Sequence, residues 1–341
     1  MRIGLFLAYW PWFTLDEQVE LAVLADNLGL DSVWVSEAWG QDAVSVLGLI
    51  AGKTERVAIG SGLIQIPARQ PTATAMAAAT LDQISGGRFR LGLGVSGPQV
   101  SEGWYGVPFA RPLRRTREYV EIVRRALARE GPLEFAGEEW TLPLPDGLGK
   151  PLKLLARPVQ DPIPIYLGSV GPKAIEQTGA IADGWLPFML APDQLELLAR
   201  GAESAGRSIE DIDVAPATPV AIADDLETAR DRVRPWLSFY LGSMGAAEKN
   251  FYVEAAARYG HGDSAREVQA RTLAGDRMGA AAALTPELID HSAIAVTPDT
   301  LEERLAEVFA AGANTVLALP MGPDKAGVVR ALSEAGARVG G

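Results

Sequence analysis

Residues 85–109 read SGGRFRLGLGVSGPQVSEGWYGVPF. Arg88 to Leu93 alternates and is apolar enough for a buried strand. Its carboxyl end runs into Gly92, Gly94, Ser96 and Gly97, then into a loop carrying Trp104 and Tyr105. Glycines at a strand end free backbone amides for an anion, and nearby aromatics can cover a flat ring. The stretch therefore predicts a cofactor site. Gly92-Leu-Gly94-Val-Ser-Gly97 also matches the dinucleotide pattern G-x-G-x-x-G, which needs a helix opening at the last glycine. Pro98, Ser101, Gly103 and Gly106 read as loop instead, and the match falls on a fourth strand, which disfavours a Rossmann fold.

Outward from this stretch, strands alternate with helices. Candidate strands are residues 2–8, 31–36, 56–66, 88–95, 164–168, 184–188, 212–222 and 314–319. Helical patterns separate them at 15–28, 42–53, 71–84, 111–129, 172–182, 192–205, 298–311 and 325–337. Such alternation implies parallel strands with helical crossovers. Eight units predict an α/β fold, a (β/α)8 TIM barrel with insertions. The insertions are a Pro- and Gly-rich excursion at 131–163 and a longer, helical one at 224–292. Neither reads as a domain linker, so residues 1–341 are expected to form a single barrel domain.

Composition narrows the function. The chain has 341 residues, 48% of them hydrophobic, enough for a full core. There is no cysteine, which excludes disulfides and thiolate metal sites. The two histidines, His261 and His291, lie far down the chain and are read as structural, so no metal site is expected. A net charge of −12 disfavours nucleic acid and anionic membrane surfaces. No apolar run reaches membrane-span length and no signal peptide precedes the first strand, so a cytoplasmic location is expected.

Barrel active sites form at the carboxyl ends of the strands. Those ends carry Tyr9 and Trp10; Glu37, Trp39 and Asp42; Ser61, Gly62, Leu63 and Gln65; Ser96 and Gly97; and Gly168, Ser169, Val170 and Gly171. The last set opens a helix, whose free N–H groups suit a phosphate. Glu37 and Asp42 could act as an acid/base pair in a glycosidase, but Asp42 reads better as a helix cap. Arg114, Arg115 and Arg117 start a mostly solvated helix and could reach an anion. The alanine-rich run Thr72–Ala79 suits close packing against the barrel or a partner subunit, and a homodimer is expected.

Several segments together resemble the bacterial luciferase-like monooxygenase superfamily, most closely its coenzyme F420-dependent oxidoreductase branch. They are MRIGLFL at 1–7, GLDSVWVSEAWG at 29–40, RVAIGSGLIQIPARQP at 56–71, LDQISGGRFRLGLGVSGPQVSEGWYG at 81–106, and PIYLGSVGPKAIEQTGAIADGW at 164–185. The resemblance implies a deazaflavin ring at the barrel mouth and hydride transfer to or from an organic small molecule. FMN, with reduced flavin supplied by a partner reductase and oxygen as co-substrate, is the alternative. A non-prolyl cis peptide behind the ring would fall at Gly62-Leu63, and phosphate at Ser96-Gly97 and Gly168–Gly171. Cofactor contacts are thus expected from Glu37, Ser61, Gly62, Leu63, Ser96, Gly97, Gly168, Ser169, Val170 and Gly171. Glu37 and Trp39 are the candidate catalytic residues, and Tyr9, Trp39 and Trp104 the candidate substrate-cavity residues. Some relatives carry a histidine just after the acid. Ala38 stands there in this chain, so proton handling must differ.

Overall fold

The computed structural model describes residues 1–245 and 248–339. Residues 246–247, inside the second excursion, and 340–341 lie outside the described residues. The strands are β1 (Arg2–Leu7), β2 (Ser32–Val35), β3 (Ala58–Ser61), β4 (Ile64–Gln65), β5 (Phe89–Gly94), β6 (Phe135–Ala136), β7 (Thr141–Leu142), β8 (Ile165–Gly168), β9 (Gly184–Trp185), β10 (Asp213–Val214), β11 (Ala217–Ile222), β12 (Ile294–Val296) and β13 (Thr315–Pro320). All ladders of the main sheet are parallel, in the order β10-β9-β8-β5-β3-β2-β1-β13-β11-β12, with β4 beside β5.

The sheet curls closed through one continuous stretch of chain. Residues 213–214 pair with β9 and residues 217–220 pair with β13. Between them, Ala215 N–H donates to Trp185 O at 2.8 Å and Leu317 N–H to Pro216 O at 2.9 Å. The expected TIM barrel is therefore present, with its eight staves where the alternation put them. Two staves are broken. The third is interrupted at Gly62-Leu63, where the peptide bond is cis. The seventh is interrupted at Ala215-Pro216, whose proline cannot donate to a ladder.

The staves are nearly all buried, because helices cover them outside and side chains fill them inside. Leu5, Leu7, Val33, Val35, Ile59, Leu91, Leu93, Leu317 and Leu319 form one cluster with the inner faces of the surrounding helices. The helix Leu15–Leu28, at its expected bounds, is capped by Thr14. Glu17 N–H donates to Thr14 Oγ1 at 3.2 Å and Glu17 Oε2 accepts from Thr14 N–H at 2.8 Å, a reciprocal cap.

The first excursion carries the small antiparallel pair β6–β7. Glu118 holds it by accepting from the N–H groups of Glu138, Glu139 and Trp140. The second supplies helices Leu226–Ser243, Phe251–Arg258, Gly262–Leu273, Arg277–Ala282 and Pro286–Ser292, the first two of which reach the barrel mouth. Pro98–Gly103 forms a short helix where the sequence suggested a loop. Gly97 therefore does open a helix, yet the closed barrel excludes the Rossmann topology all the same. No described helix is long and apolar enough to cross a membrane.

Candidate active site

A cavity of about 350 Å³ opens at the carboxyl ends of the strands. Its polar wall begins at Glu37, where β2 turns outward. Glu37 is only 3% exposed. The turn is tight: Ala38 has φ +46°, a left-handed conformation rare for a residue with a Cβ. Burial pushes the Glu37 carboxyl above the ordinary range, while Arg69 works in the opposite direction. Arg69 lies just past β4 and donates from Nη1 to Glu37 Oε1 and Oε2, at 2.7 and 3.0 Å. Its other nitrogen, Nη2, bonds Asp42. Asp42 also caps the helix Ala43–Ala51, accepting from Ser45 N–H at 2.8 Å. Burial works to raise Asp42, but its bonds to Ser45 and Arg69 hold it below the ordinary range. The two acids thus share one guanidinium, so neither is the free base that glycosidase chemistry needs.

Next to this pair, Tyr105 donates from its hydroxyl to Gln65 Oε1 at 2.9 Å. Gln65 Nε2 then donates to Ser96 Oγ at 3.0 Å. Ser96 has φ +61° and is the left-handed residue of the fourth strand end. Gly97, one residue later, is extended, with φ −118°.

The second wall is built around Leu63. Glycines on two neighbouring strands make room for it: a Cβ at Gly94 or at Gly168 would lie 2.5 Å from Leu63 Cδ1. Beyond these, Gly97, Gly168, Ser169, Val170 and Gly171 line the cavity. The helix Pro172–Ile181 opens at Gly171 with no capping side chain; Pro172 carries no N–H and Ala174 N–H donates to Gly171 O at 2.9 Å, which leaves Lys173 N–H as the open donor among its first three residues. A Cβ at Gly171 would meet nothing within 4 Å, so this backbone faces open space. A flat, glycine-walled slot ending at an uncapped helix of ten residues fits a ring with a phosphate tail.

The third wall comes from the second excursion, with Trp236, Leu237, Tyr240, Met244, Phe251 and Tyr252, together with Tyr9 and Phe188. Apart from Tyr9, sequence reasoning passed over these residues, as it did Arg69. The signal was the density of aromatic residues at 236–240 and 251–252 in an otherwise alanine-rich segment.

Of the expected site residues, Tyr9, Glu37, Gly62, Leu63, Ser96, Gly97 and 168–171 all line the cavity. Three do not. Ser61 is fully buried, exchanging hydrogen bonds with Gly92 O and N–H at 2.9 Å each, so its side chain faces the barrel wall. Trp39 and Trp104, 39% and 65% exposed, sit on the outer surface; Trp39 lies 6.4 Å from Phe239 between ring centres. Arg114 and Arg115 are taken up by Glu138 and Glu139 of the β6–β7 hairpin. His261 and His291 face each other at 3.4 Å, outside the cavity lining.

Barrel, slot and uncapped helix together define a cofactor-binding (β/α)8 enzyme. Residues 1–315 match the family model described as luciferase-like monooxygenase, and the chain belongs to this family. It is 42% identical over 327 residues to a Mycobacterium tuberculosis protein named as a coenzyme F420-dependent oxidoreductase, covering 93% of this chain and 94% of that one. It is 30% identical over 335 residues to the 5,10-methylenetetrahydromethanopterin reductase of Archaeoglobus fulgidus, covering 95% of each. In structure it resembles the coenzyme F420-dependent tetrahydromethanopterin reductase of Methanopyrus kandleri, with a TM-score of 0.84 at 26% identity over 98% of this chain and 97% of that one.

Proposed function

We propose that the chain is a coenzyme F420-dependent oxidoreductase that moves a hydride between the deazaflavin and an organic small molecule. The observation that carries this reading is similarity along nearly the whole chain to a protein named for coenzyme F420, joined to a slot that fits a ring and phosphate. The cofactor supplies a ring carbon that gives or takes the hydride. The chain's own residues bind, orient and exclude water. Leu63 and the Gly62-Leu63 backbone back the ring, and Gly97 and Gly168–Gly171 hold the phosphate through backbone N–H groups. Glu37, fixed by Arg69, contacts the ring edge. The aromatic third wall closes the substrate side and keeps water from the reacting carbon.

The same reading extends to the setting of the enzyme. It acts in the cytoplasm as one barrel unit, and in substrate reduction a separate reductase must regenerate its cofactor. A homodimer is supported by the exposed apolar side chains Leu144, Leu148, Leu152, Leu155 and Val159 of the first excursion and Met76 and Ile84 of the helix Pro71–Ser85, against which that excursion is bonded. Contiguous exposed apolar groups mark association surfaces.

Fluorescence titration with coenzyme F420 and with FMN tests the cofactor. Micromolar binding of F420, with FMN weaker by about tenfold or more, is expected; a tenfold ratio corresponds to about 1.4 kcal/mol. Tighter FMN binding, with oxygen consumed on addition of reduced flavin, would establish the monooxygenase alternative instead.

A further inference from the structure

The cavity contains a group that the cofactor slot leaves unused. Tyr9 is carried by the turn after β1, where its carbonyl accepts from Trp12 N–H at 2.9 Å and Phe13 N–H at 3.3 Å. Tyr9 lines the cavity, and its Oη is buried with no well-formed hydrogen bond among the described residues. A buried hydroxyl without a good partner is costly, and one on a residue that lines a cavity can gain that partner from a ligand. The hydroxyl of Tyr240 lies beside it, close enough for each to shift the ionisation of the other. The Tyr240 ring is fixed on three sides: Phe188 stacks on it at 5.6 Å, and Trp236 and Tyr252 pack at 4.5 and 5.2 Å.

We propose that Tyr9 Oη, with Tyr240 Oη beside it, receives the oxygen of the substrate, and that this substrate is an uncharged, largely apolar carbonyl compound or its alcohol. The inference rests on the hydride-transfer reading and names its substrate class. Leu237, Met244, Phe251 and Pro219 give this side of the cavity a mainly apolar lining, with the Tyr252 hydroxyl and the Glu254 carboxylate as its other polar groups. Among the described residues, the cavity lining includes no lysine, arginine or histidine, so no side-chain cation there pairs with a carboxylate or phosphate on the substrate. Burial pushes the Tyr9 and Tyr240 hydroxyls well above the ordinary tyrosine range, which keeps both protonated as donors.

In the reducing direction the carbonyl carbon gains the hydride from reduced deazaflavin and the C=O π pair moves onto oxygen. That oxygen, more basic as an alkoxide than even a buried phenolate, takes the Tyr9 proton. Water reprotonates Tyr9 after the alcohol leaves. The oxidising direction runs in reverse. Tyr9 is thus the acid that Ala38 cannot be, and Tyr240 is its positioning partner.

The test is calorimetric titration of the protein, with and without saturating F420, using acetophenone, 1-phenylethanol and ethylbenzene. Both oxygen-bearing probes are expected to bind at least about tenfold tighter than ethylbenzene, the worth of one buried hydrogen bond. Tyr9→Phe should erase that preference while leaving the affinities for ethylbenzene and F420 unchanged. Tyr240→Phe should reduce the preference by about fivefold. With reduced F420, Tyr9→Phe should lower kcat for acetophenone far more than it raises KM. No preference in the wild type, or a preference that survives Tyr9→Phe, would overturn the inference. Failure to bind F420 would instead strike the hydride-transfer reading, and the cofactor-free titrations would still decide the role of Tyr9.

Discussion

The guanidinium of Arg69 donates to both carboxylate oxygens of Glu37, at 2.7 and 3.0 Å, and opposes the effect of burial on this acid beside the cavity. Burial nonetheless leaves the Glu37 carboxyl above its ordinary range. The folded chain therefore holds that proton more tightly than the unfolded one. Its contribution to stability is full below the ordinary carboxylate value and is lost as pH rises through the raised one. The substitution Arg69→Leu removes the cation that Glu37 leans on. The cost at pH 8 should be about 2–3 kcal/mol, the low end for a broken buried pair because Arg69 is partly exposed. At pH 4 the loss should be much smaller, and adding Glu37→Gln to Arg69→Leu should recover most of it. Urea unfolding at the two pH values measures all three, and an equal loss at both would reject the assignment.

The contact of Leu63 with Gly94 and Gly168 makes a second prediction. Gly168→Ala places a methyl group 2.5 Å from Leu63 Cδ1, which overpacks the slot by about 1–3 kcal/mol. Leu63 lines the cavity, so displacing it intrudes on the space assigned to the ring. F420 affinity should fall about tenfold or more while the fold survives. Adding Leu63→Ala should restore room and recover part of the binding. A Gly168→Ala protein that binds F420 normally would show that the ring lies elsewhere.

The barrel was legible because strand and helix periodicity are local properties, and so were the strand ends with their glycines. The interruption at Gly62-Leu63 was expected from family resemblance; the break at Ala215-Pro216 was not, although proline marked it. The harder part was long-range. Arg69 is one cation among many in sequence, and only the fold brings it to Glu37, 32 residues away. Tyr240 and Tyr252 lie in an excursion that has no barrel periodicity, so nothing local says that they return to the mouth. Trp39 and Trp104 mislead for the converse reason. Being large and near a strand end does not fix which way a side chain points, and both turn to solvent.

Gly171 separates binding from stability. A Cβ there meets no described atom within 4 Å beyond its chain neighbours, so Gly171→Val should leave the melting temperature nearly unchanged. The same side chain would crowd the N–H groups at the start of the helix Pro172–Ile181. Affinity for F420 should fall by about 1–3 kcal/mol, the cost of disrupted anion hydrogen bonds. Inorganic phosphate should compete with F420 in the wild type and compete less in the variant. Unchanged affinity in a folded protein would move the phosphate site away from this helix.

The apolar outer face predicts the assembly. Leu148 and Leu155 are essentially fully exposed, at 109% and 91%, on an excursion tied to the barrel by Asp82. Asp82 accepts from Val159 N–H at 2.6 Å and Gln160 N–H at 3.0 Å, so the segment is anchored against the helix Pro71–Ser85. An anchored segment that presents leucines to water gains by covering them with a second copy, at about 25 cal/mol per Å² of apolar surface buried. Substituting both Leu148 and Leu155 by Glu removes that gain and sets like charges against each other across a two-fold interface. Sedimentation velocity should show a dimer for the wild type and a monomer for the double variant, with F420 affinity retained because both positions lie outside the cavity lining. A wild-type monomer at tens of micromolar, or a variant that stays dimeric, would show that this face is not the interface.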